Sequence, residues 1–302
     1  MTAPGKTKTC KGIFLARVLA NQPICRQHHK LVLEVENFPP ADPGQFIQIL
    51  CADPGHENLT GPTLLRRPFS IGGIRAKAKQ CQIDIYLRVI GPGTRWLAQR
   101  KPADSVSILG PLGNPFPIAE DKPTAYLVGG GCGLPPLIWL AETLQRAGKH
   151  TIAFCGAQSA DLLPLTLRTE VKVTGNKQTL AFDEFAQLDV PVIVSTDDGS
   201  LGAEGIISEV FTDYLDKNLK RADTVVVYTC GPNLMMQAVA EYCGKNSITC
   251  LVCLERMMAC GMGTCQSCVV RIRDNSARDG WRYQLCCTDG PVFDSRDVIW
   301  DG

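Results

Sequence analysis

The sequence of 302 residues contains no run of eighteen apolar residues, so we expect no membrane-spanning helix. Its 31 basic and 30 acidic side chains leave a net charge of +1, which gives no basis for binding nucleic acid or an anionic membrane. Residues 1–6 have no apolar segment behind them, which is unlike a secretory signal. We therefore expect the fifteen cysteines to be reduced thiols in a cytoplasmic protein, not the disulfides of a small secreted scaffold.

What is present is the composition of an ordinary globular protein, long enough for two or three domains. Residues 1–119 show short runs of alternating apolar and polar residues, such as Phe46–Leu50 and Ile83–Val89, separated by proline and glycine turns. This rhythm predicts an antiparallel β-barrel or sandwich. Residues 53–62 are rich in turn formers and predict an exposed loop.

The rhythm changes at residue 120 to alternating strands and helices. Apolar runs at residues 125–128, 152–155, 192–194 and 225–228 predict buried strands, with helices over 136–147 and 234–242. Such alternation indicates a parallel sheet covered on both faces. We therefore predict an α+β multidomain fold, with a barrel over 1–119, an α/β domain over 120–246 and a small third domain over 247–302.

Four cysteines of the third segment carry the strongest chemical signal. Cys260, Cys265 and Cys268 form a C-x4-C-x2-C pattern, and Cys287 follows after eighteen intervening residues. This is the plant-type spacing for a [2Fe–2S] cluster. A zinc site is the alternative, but zinc favours C-x2-C pairs repeated at two knuckles. The spacing therefore favours iron–sulfur, and with it electron transfer.

The barrel segment contains two short motifs that suit a flavin nucleotide. A guanidinium at Arg67 would clamp a phosphate, and a hydroxyl at Ser70 would reach the flavin ring, although Arg67 also suits a surface salt bridge. Thr94 is a candidate N-cap of a helix that begins near Arg95, and the free N–H groups of its first turn would bind a pyrophosphate. The candidate flavin-binding residues are Arg67, Pro68, Phe69, Ser70, Arg88, Val89, Ile90, Gly93 and Thr94.

Two glycine turns of the second segment suit a nicotinamide nucleotide. Each follows a strand and precedes a helix, although Pro135 stands where the dinucleotide fingerprint has its last glycine. Cys230 would lie beside the nicotinamide and is the candidate catalytic residue, with a buried apolar filler as the alternative, which we favour for Cys132. The candidate nucleotide-binding residues are Gly129, Gly130, Gly131, Gly231 and Pro232.

Together these motifs resemble the ferredoxin–NAD(P) reductase superfamily and, more closely, the electron-transfer subunits of class 1B dihydroorotate dehydrogenases. The resemblance covers nearly the whole chain and is most specific in the cluster segment. The motifs that carry it are residues 67–71, 110–113, 129–131, 230–232, 254–257, 260–268 and 287–293.

This resemblance implies FAD, a [2Fe–2S] cluster and NAD as cofactors. It implies that electrons from a dihydroorotate-oxidising FMN subunit pass through the cluster and FAD to NAD⁺, in pyrimidine biosynthesis. The partner would be that catalytic subunit, with two copies of each chain in a heterotetramer. The three cofactors are chemically consistent with a relay. A cluster transfers single electrons and nicotinamide accepts a hydride, and a flavin can do both and so connects the two.

The resemblance also aligns Cys287 with a Cys-x-Asp-Gly motif, which favours Cys287 over its neighbour Cys286 as the fourth ligand. Residues 271–283 between the third and fourth ligands are long and polar and predict an exposed hairpin or loop. Met257, Met258 and Met262 surround the first ligand and suit either a partner-binding surface or core packing.

Two other assignments stay open at this point. A reductase subunit of the sulfide dehydrogenase or NADH-dependent ferredoxin–NADP reductase kind would share all three domains. A zinc-bearing interaction module on a reductase-like scaffold would be a non-enzymatic alternative. The acidic residues Asp197 and Asp198 disfavour the 2′-phosphate of NADP, but they also suit an exposed turn.

Overall fold

The structure, a computed structural model, describes residues 11–52 and 64–300, so the loop predicted over 53–62 lies outside the described residues. The strands are β1 (Gly12–Cys25), β2 (His28–Glu36), β3 (Phe46–Leu50), β4 (Arg67–Lys77), β5 (Gln80–Arg88), β6 (Ser105–Leu112), β7 (Thr124–Gly130), β8 (His150–Ala157), β9 (Val192–Thr196), β10 (Ala203–Glu204), β11 (Val225–Cys230), β12 (Thr249–Cys253), β13 (Val269–Arg273), β14 (Trp281–Leu285) and β15 (Val292–Asp294). The helices are α1 (Pro92–Ala98), α2 (Leu134–Arg146), α3 (Asp183–Ala186), α4 (Ile207–Asn218) and α5 (Asn233–Lys245).

Strands β1 to β6 close into an antiparallel barrel in the order β1-β2-β5-β4-β3-β6. Successive side chains of a strand point to opposite faces, so alternate residues fill the interior. Ile47 and Ile49 of β3 lie fully buried in this core, as do Ile83 and Ile85 of β5. Leu97 of α1 joins them. The predicted barrel is confirmed.

Strands β7 to β12 and β15 form one sheet in the order β10-β9-β8-β7-β11-β12-β15. All its pairs are parallel except the antiparallel pair of β12 and β15 at one edge. Helix α2 packs on one face of the sheet, and α4 and α5 pack on the other. Both faces are covered, which explains why its strands read as continuous apolar runs. The predicted α/β architecture is confirmed.

Helix α2 joins the sheet to the barrel. Its Trp139 is buried in the barrel core, whereas Leu137 and Leu140 belong to the core under the sheet. At the start of the helix, Pro135 lies against β4, because a Cβ at Gly72 would come 3.3 Å from the Cβ of Pro135. This contact places the glycine turn that precedes α2 beside the strand with the flavin motif.

The third segment is not separate from the sheet. Strands β12 and β15 fall within residues 247–302 and pair with each other at the sheet edge, while β13 and β14 form an antiparallel hairpin. The hairpin predicted around residues 271–283 is thus found, and the domain limits at 119 and 246 stay a prediction. Among the described residues, no helix is both long and apolar enough to cross a membrane.

Candidate cofactor and cluster sites

The predicted flavin motif opens β4, where it pairs with β3. Arg67 donates from Nη1 to the carbonyl oxygen of Leu65 at 2.8 Å, which orients its guanidinium at the start of the strand. The side chain of Phe69 belongs to the barrel core, so any cofactor contact of Phe69 would involve its backbone. Pro68 and Ser70 are half-buried on the opposite face of the strand from Phe69.

The N-cap of α1 is Gly91, so the prediction of Thr94 as the N-cap residue is wrong. Pro92 takes the first helical position, which its fixed φ favours. Thr94 becomes the third helical residue. Its Oγ1 accepts the N–H groups of Ile90 at 3.0 Å and Gly91 at 3.1 Å, so the hydroxyl holds the turn that precedes the helix.

The start of α1 lies against Arg67. A Cβ at Gly93 would come 3.6 Å from Cγ of Arg67 and 3.3 Å from Sγ of Cys51. Burial raises the pKa of the Cys51 thiol to about 11, and the charge of Arg67 opposes that shift. The structure therefore brings together a guanidinium and the N–H groups of a helix start, which are the two groups that a pyrophosphate needs.

The second flavin motif follows the end of β5. Both Nε and Nη2 of Arg88 donate to Oε1 of Gln27 at 3.2 Å. Val89 packs against the barrel core, whereas Ile90 is 76% exposed. Of these three neighbouring residues, Val89 contributes to the packing of the barrel, whereas Arg88 bonds Gln27 and Ile90 faces solvent.

Cys132 is exposed, contrary to the interpretation as a buried filler. Its side chain contacts solvent, yet protein surrounds it closely enough that desolvation raises its pKa to about 12. Glu255 adds to this shift and Arg88 opposes it. Cys132 is therefore close enough to Arg88 of the second flavin motif and to Glu255 of the cluster segment to sense both charges.

The two glycine turns pack backbone to backbone at the carboxyl ends of β7 and β11. Gly129 and Cys230 are register partners in these neighbouring strands. A Cβ at Gly231 would lie 3.0 Å from the backbone of Gly130, and a Cβ at Gly133 would lie 2.1 Å from the carbonyl oxygen of Cys230. The structure therefore brings the two predicted nucleotide motifs together at the carboxyl ends of two inner strands. In α/β proteins, nucleotides bind at the carboxyl ends of the strands.

Cys230 is the last residue of β11, and it is buried, with 7% of its surface exposed. Its register partner in β12 is Cys253, whose pKa is raised well above its usual range by a hydrogen bond with Cys230 and by burial. Gly131 opens a single 3-10 turn over 131–133, and Pro232 is the N-cap of α5. The sequence did not single out Cys253, because a cysteine in an apolar strand looks like any core residue.

The acidic turn after β9 has a structural role for one of its two carboxylates. Asp198 accepts the backbone N–H of Ser200 at 3.0 Å and its Oγ–H at 2.6 Å, as expected for a turn-forming aspartate. Asp197 is exposed beside it. Asp198 is exposed as well, so the two differ in the bonds that Asp198 accepts from Ser200 and not in exposure.

The four predicted cluster cysteines fall into two pairs. Sγ of Cys260 accepts the backbone N–H groups of Met262 and Cys265, both at 3.4 Å. Sγ of Cys268 accepts the backbone N–H of Cys287 at 3.4 Å. N–H groups directed at sulfur suit thiolates and tune the potential of a bound cluster.

The two pairs differ in exposure and in the ionisation of their thiols. Cys265 is exposed, and a hydrogen bond with the hydroxyl of Ser267 lowers its pKa to about 6. Cys287 is buried, and burial followed by a hydrogen bond with Cys268 raises its pKa to about 12. A metal removes the proton from a coordinating thiol outright, so both thiols suit ligation.

Cys286 points away from the other cysteines of the loop. Its Sγ–H donates to the carbonyl oxygen of Leu254 at 3.2 Å, and the side chain is fully buried. This bond ties the loop to the end of β12. The backbone N–H of Cys286 donates to the carbonyl oxygen of Cys268 at 2.9 Å, whereas the sulfur of Cys268 accepts the N–H of Cys287.

Within residues 11–52 and 64–300, no three cysteine, histidine, aspartate or glutamate side chains converge as a metal-binding group. The structure thus brings the four sulfurs together as pairs and not as one set. The donor chemistry still fits a [2Fe–2S] cluster, because each of the two irons takes two thiolates and each pair accepts backbone N–H groups.

The cluster segment is seated on the barrel, through residues that the sequence did not indicate. Asn114, just after β6, donates from Nδ2 to the carbonyl oxygens of Asp289 at 2.7 Å and Thr288 at 3.2 Å. Gln48 of β3 is fully buried beneath Gly261. Alternation along β3 made Gln48 look like a solvent-facing residue, and no local signal showed that another segment covers it.

Comparison with known proteins identifies the family. Residues 255–299 match the family model described as the iron–sulfur cluster binding domain of dihydroorotate dehydrogenase B. The chain is 32% identical over 285 residues to the dihydroorotate dehydrogenase B (NAD(+)) electron transfer subunit of Caldanaerobacter subterraneus, covering 94% of this chain and 98% of that protein. The subunit of Geobacillus kaustophilus is 36% identical over 259 residues, with 85% and 86% covered. The chain belongs to this family of electron transfer subunits.

Membership in the dihydroorotate dehydrogenase B family confirms the predicted family and the assignment as an electron-transferring oxidoreductase subunit. The matched cluster domain favours iron–sulfur over zinc. A solved structure of an NADH-dependent reduced ferredoxin–NADP oxidoreductase is also similar, with a TM-score of 0.73, 25% identity and coverage of 98% of this chain and 92% of that one. The alternative enzyme therefore resembles this chain as a related fold.

Proposed function

We propose that this chain relays electrons from an FMN-containing subunit that oxidises dihydroorotate to NAD⁺, by way of a [2Fe–2S] cluster and FAD. When bound, the flavin supplies the conversion between single-electron transfer and hydride transfer. Family membership supports this activity, since the relatives are electron transfer subunits of dihydroorotate dehydrogenase B (NAD(+)). In this proposal the chain's own residues bind the three groups and set their order.

The observation that carries the proposed order is the position of β4, which we call the flavin strand because it opens with the predicted flavin motif. This strand lies between the glycine turns predicted to bind the nucleotide and the segment with the cluster cysteines. On one side, Gly72 of β4 abuts Pro135 at the start of α2, next to the nucleotide turns. On the other side, β4 pairs with β3, whose Gln48 is covered by Gly261. Gly261 belongs to residues 260–268, the cluster loop, which contains the first three cluster cysteines. A flavin held on β4 would therefore be adjacent to both the nicotinamide and the cluster.

The cluster would be held by two pairs of thiolates, Cys260 with Cys265 and Cys268 with Cys287. Support comes from the N–H groups that each pair accepts and from the buried hydrogen bond that turns Cys286 away. Cys286 then has a structural role.

The flavin and nicotinamide nucleotides would be held largely by backbone and by one guanidinium. Arg67 and the first turn of α1 would bind the FAD pyrophosphate, with Ser70 near the ring. The turns at residues 129–133 and 230–232 would hold the nicotinamide nucleotide, with Cys230 closing the pocket. Asp197 would disfavour a 2′-phosphate and so favour NAD over NADP.

The catalytic subunit would dock beside the cluster loop. Met257 is 88% exposed and Met262 is 51% exposed, and both flank Cys260. Val269 and Tyr283 of the hairpin are also exposed. Flexible, polarisable methionines suit binding surfaces. We propose a heterotetramer with two copies of each subunit, in the cytoplasm, where NAD⁺ and reduced thiols are both found.

Reconstitution tests the function. The isolated chain should oxidise NADH with artificial electron acceptors but should not turn over dihydroorotate, and addition of the catalytic subunit should restore dihydroorotate-dependent reduction of NAD⁺. A chain that oxidises dihydroorotate alone, or a pair that never associates, would contradict the proposal. A purified protein without flavin and iron would contradict it at an earlier stage.

A further inference from the structure

Gln48 is buried with an unsatisfied amide. Its side chain is 0% exposed, and neither Oε1 nor Nε2 has a hydrogen-bond partner within the described part of the chain. Leaving such a group without partners in the interior is unfavourable. The nearby Gln45 shows the usual arrangement, since its Oε1 accepts the N–H of Asp42 at 2.9 Å and its Nε2 donates to the carbonyl oxygen of Gly113 at 2.7 Å.

The amide of Gln48 is directed at the cluster loop. Ile47 and Ile49 point into the barrel, so Gln48 lies on the outer face of β3. A Cβ at Gly261 would come 2.5 Å from Nε2 and 2.7 Å from Cδ of Gln48. Gly261 has a φ of +70°, which favours glycine, and it directly follows Cys260. The loop backbone therefore approaches the amide as closely as the absence of a side chain allows.

The chemistry of the cluster matches the unsatisfied group. Thiolate and sulfide sulfurs accept hydrogen bonds, and the Gln48 amide carries two N–H donors. We propose that Nε2–H of Gln48 donates to a sulfur of the [2Fe–2S] cluster and thereby raises the reduction potential of that cluster. This inference rests on the proposed function and adds a specific residue to it.

The sign follows from charge. Reduction adds one electron to the cluster, so a hydrogen-bond donor at a sulfur stabilises the reduced form more than the oxidised form. Removal of the donor should lower the ratio of reduced to oxidised cluster about tenfold at a fixed ambient potential, which is about 59 mV for a one-electron couple. Gln48 also pairs with Pro68 of β4, so the same residue lies between Gly261 and the strand that opens with the flavin motif.

The test is a redox titration of Gln48→Met, followed by the electron paramagnetic resonance signal of the reduced cluster. Methionine keeps an unbranched side chain of similar length and removes both N–H donors. Gln82→Met on β5, which faces Glu34 and Arg75 across its strand pairs, is the matched control. We expect unchanged iron and flavin content in both variants, a potential lowered by the tenfold equivalent in Gln48→Met, and no change in Gln82→Met. An unchanged potential in Gln48→Met would overturn the inference.

If Gln48→Met fails to fold, a labelled protein decides the question. Glutamine side chains labelled with ¹⁵N, in a Gln266→Ala background that removes the exposed glutamine of the loop, should show nuclear coupling to the reduced cluster in pulsed resonance spectra. Absence of that coupling would overturn the inference. A wild-type protein that holds no two-iron cluster would refute the proposed function itself, which keeps the two failures distinct.

Discussion

Gly133→Ala should impair the nucleotide site through sterics alone. A Cβ at this position would lie 2.1 Å from the carbonyl oxygen of Cys230, 2.4 Å from its carbonyl carbon and 2.6 Å from the backbone nitrogen of Gly231. These are backbone atoms at the end of a central strand and cannot rotate aside as a side chain would. The turn that carries Gly133 must therefore move away from β11.

The size of that movement sets the expected effect. Relief of the closest contact requires a shift of about 1 Å, and a misplacement of that size at a binding site costs up to about a hundredfold in rate. We expect kcat/KM for NADH to fall by about that factor, which corresponds to about 2.7 kcal/mol. The strain should also destabilise the fold by about 1–3 kcal/mol, as overpacking does elsewhere.

The assay is NADH oxidation with an artificial electron acceptor, combined with thermal unfolding and with flavin and iron content. Gly244→Ala is the matched control, because a Cβ at this site in α5 meets nothing within 4 Å. The control should leave NADH kinetics unchanged and stabilise the helix by up to about 1 kcal/mol. Wild-type kinetics and stability in Gly133→Ala would refute the packing of the two glycine turns described above.

Two further substitutions test the other sites. Cys287→Ser should lose iron while Cys286→Ser retains it, measured as iron per chain, and the reverse result would exchange the two assignments. Arg67→Ala should weaken FAD retention about tenfold to a hundredfold, since a hydrogen bond to a charged group contributes about 1.5–3 kcal/mol. Flavin content after dialysis measures this, with Arg17→Ala in an exposed ion pair of the barrel as control. Equal flavin content in the two arginine variants would show that Arg67 does not contact the pyrophosphate.

The sequence predicted those features that local patterns determine. Period-two alternation predicted the barrel strands, continuous apolar runs predicted the covered sheet, and cysteine spacing predicted the cluster segment. The predicted N-cap at Thr94 was wrong because two residues in this segment favour a helix start. A threonine favours the N-cap position and a proline favours the first helical position, and the helix begins at Pro92. The prediction for Cys132 was wrong because the exposure of a cysteine in a glycine turn depends on how the rest of the chain packs around that turn.

Long-range contacts explain what the sequence could not supply. Gln48 looks like a surface residue until the cluster loop, more than two hundred positions away, is placed over it. The same holds for Asn114, whose bonds reach Thr288 and Asp289. Neither residue belongs to a sequence motif. Each contacts the backbone of a segment that is distant in sequence, and only the folded structure places that segment beside it.

The two faces of β3 show how stability and electron transfer share one element of the fold. Ile47 and Ile49 face inward and hold the barrel, while Phe46 and Gln48 face outward and meet the cluster segment. Because successive residues of a strand alternate strictly, a shift of register by one residue would exchange these faces and disrupt both. The barrel core therefore fixes the distance between the flavin strand and the cluster loop. Substitutions that reduce the packing of Ile47 or Ile49 should therefore disturb electron transfer, even though both side chains are buried in the barrel core.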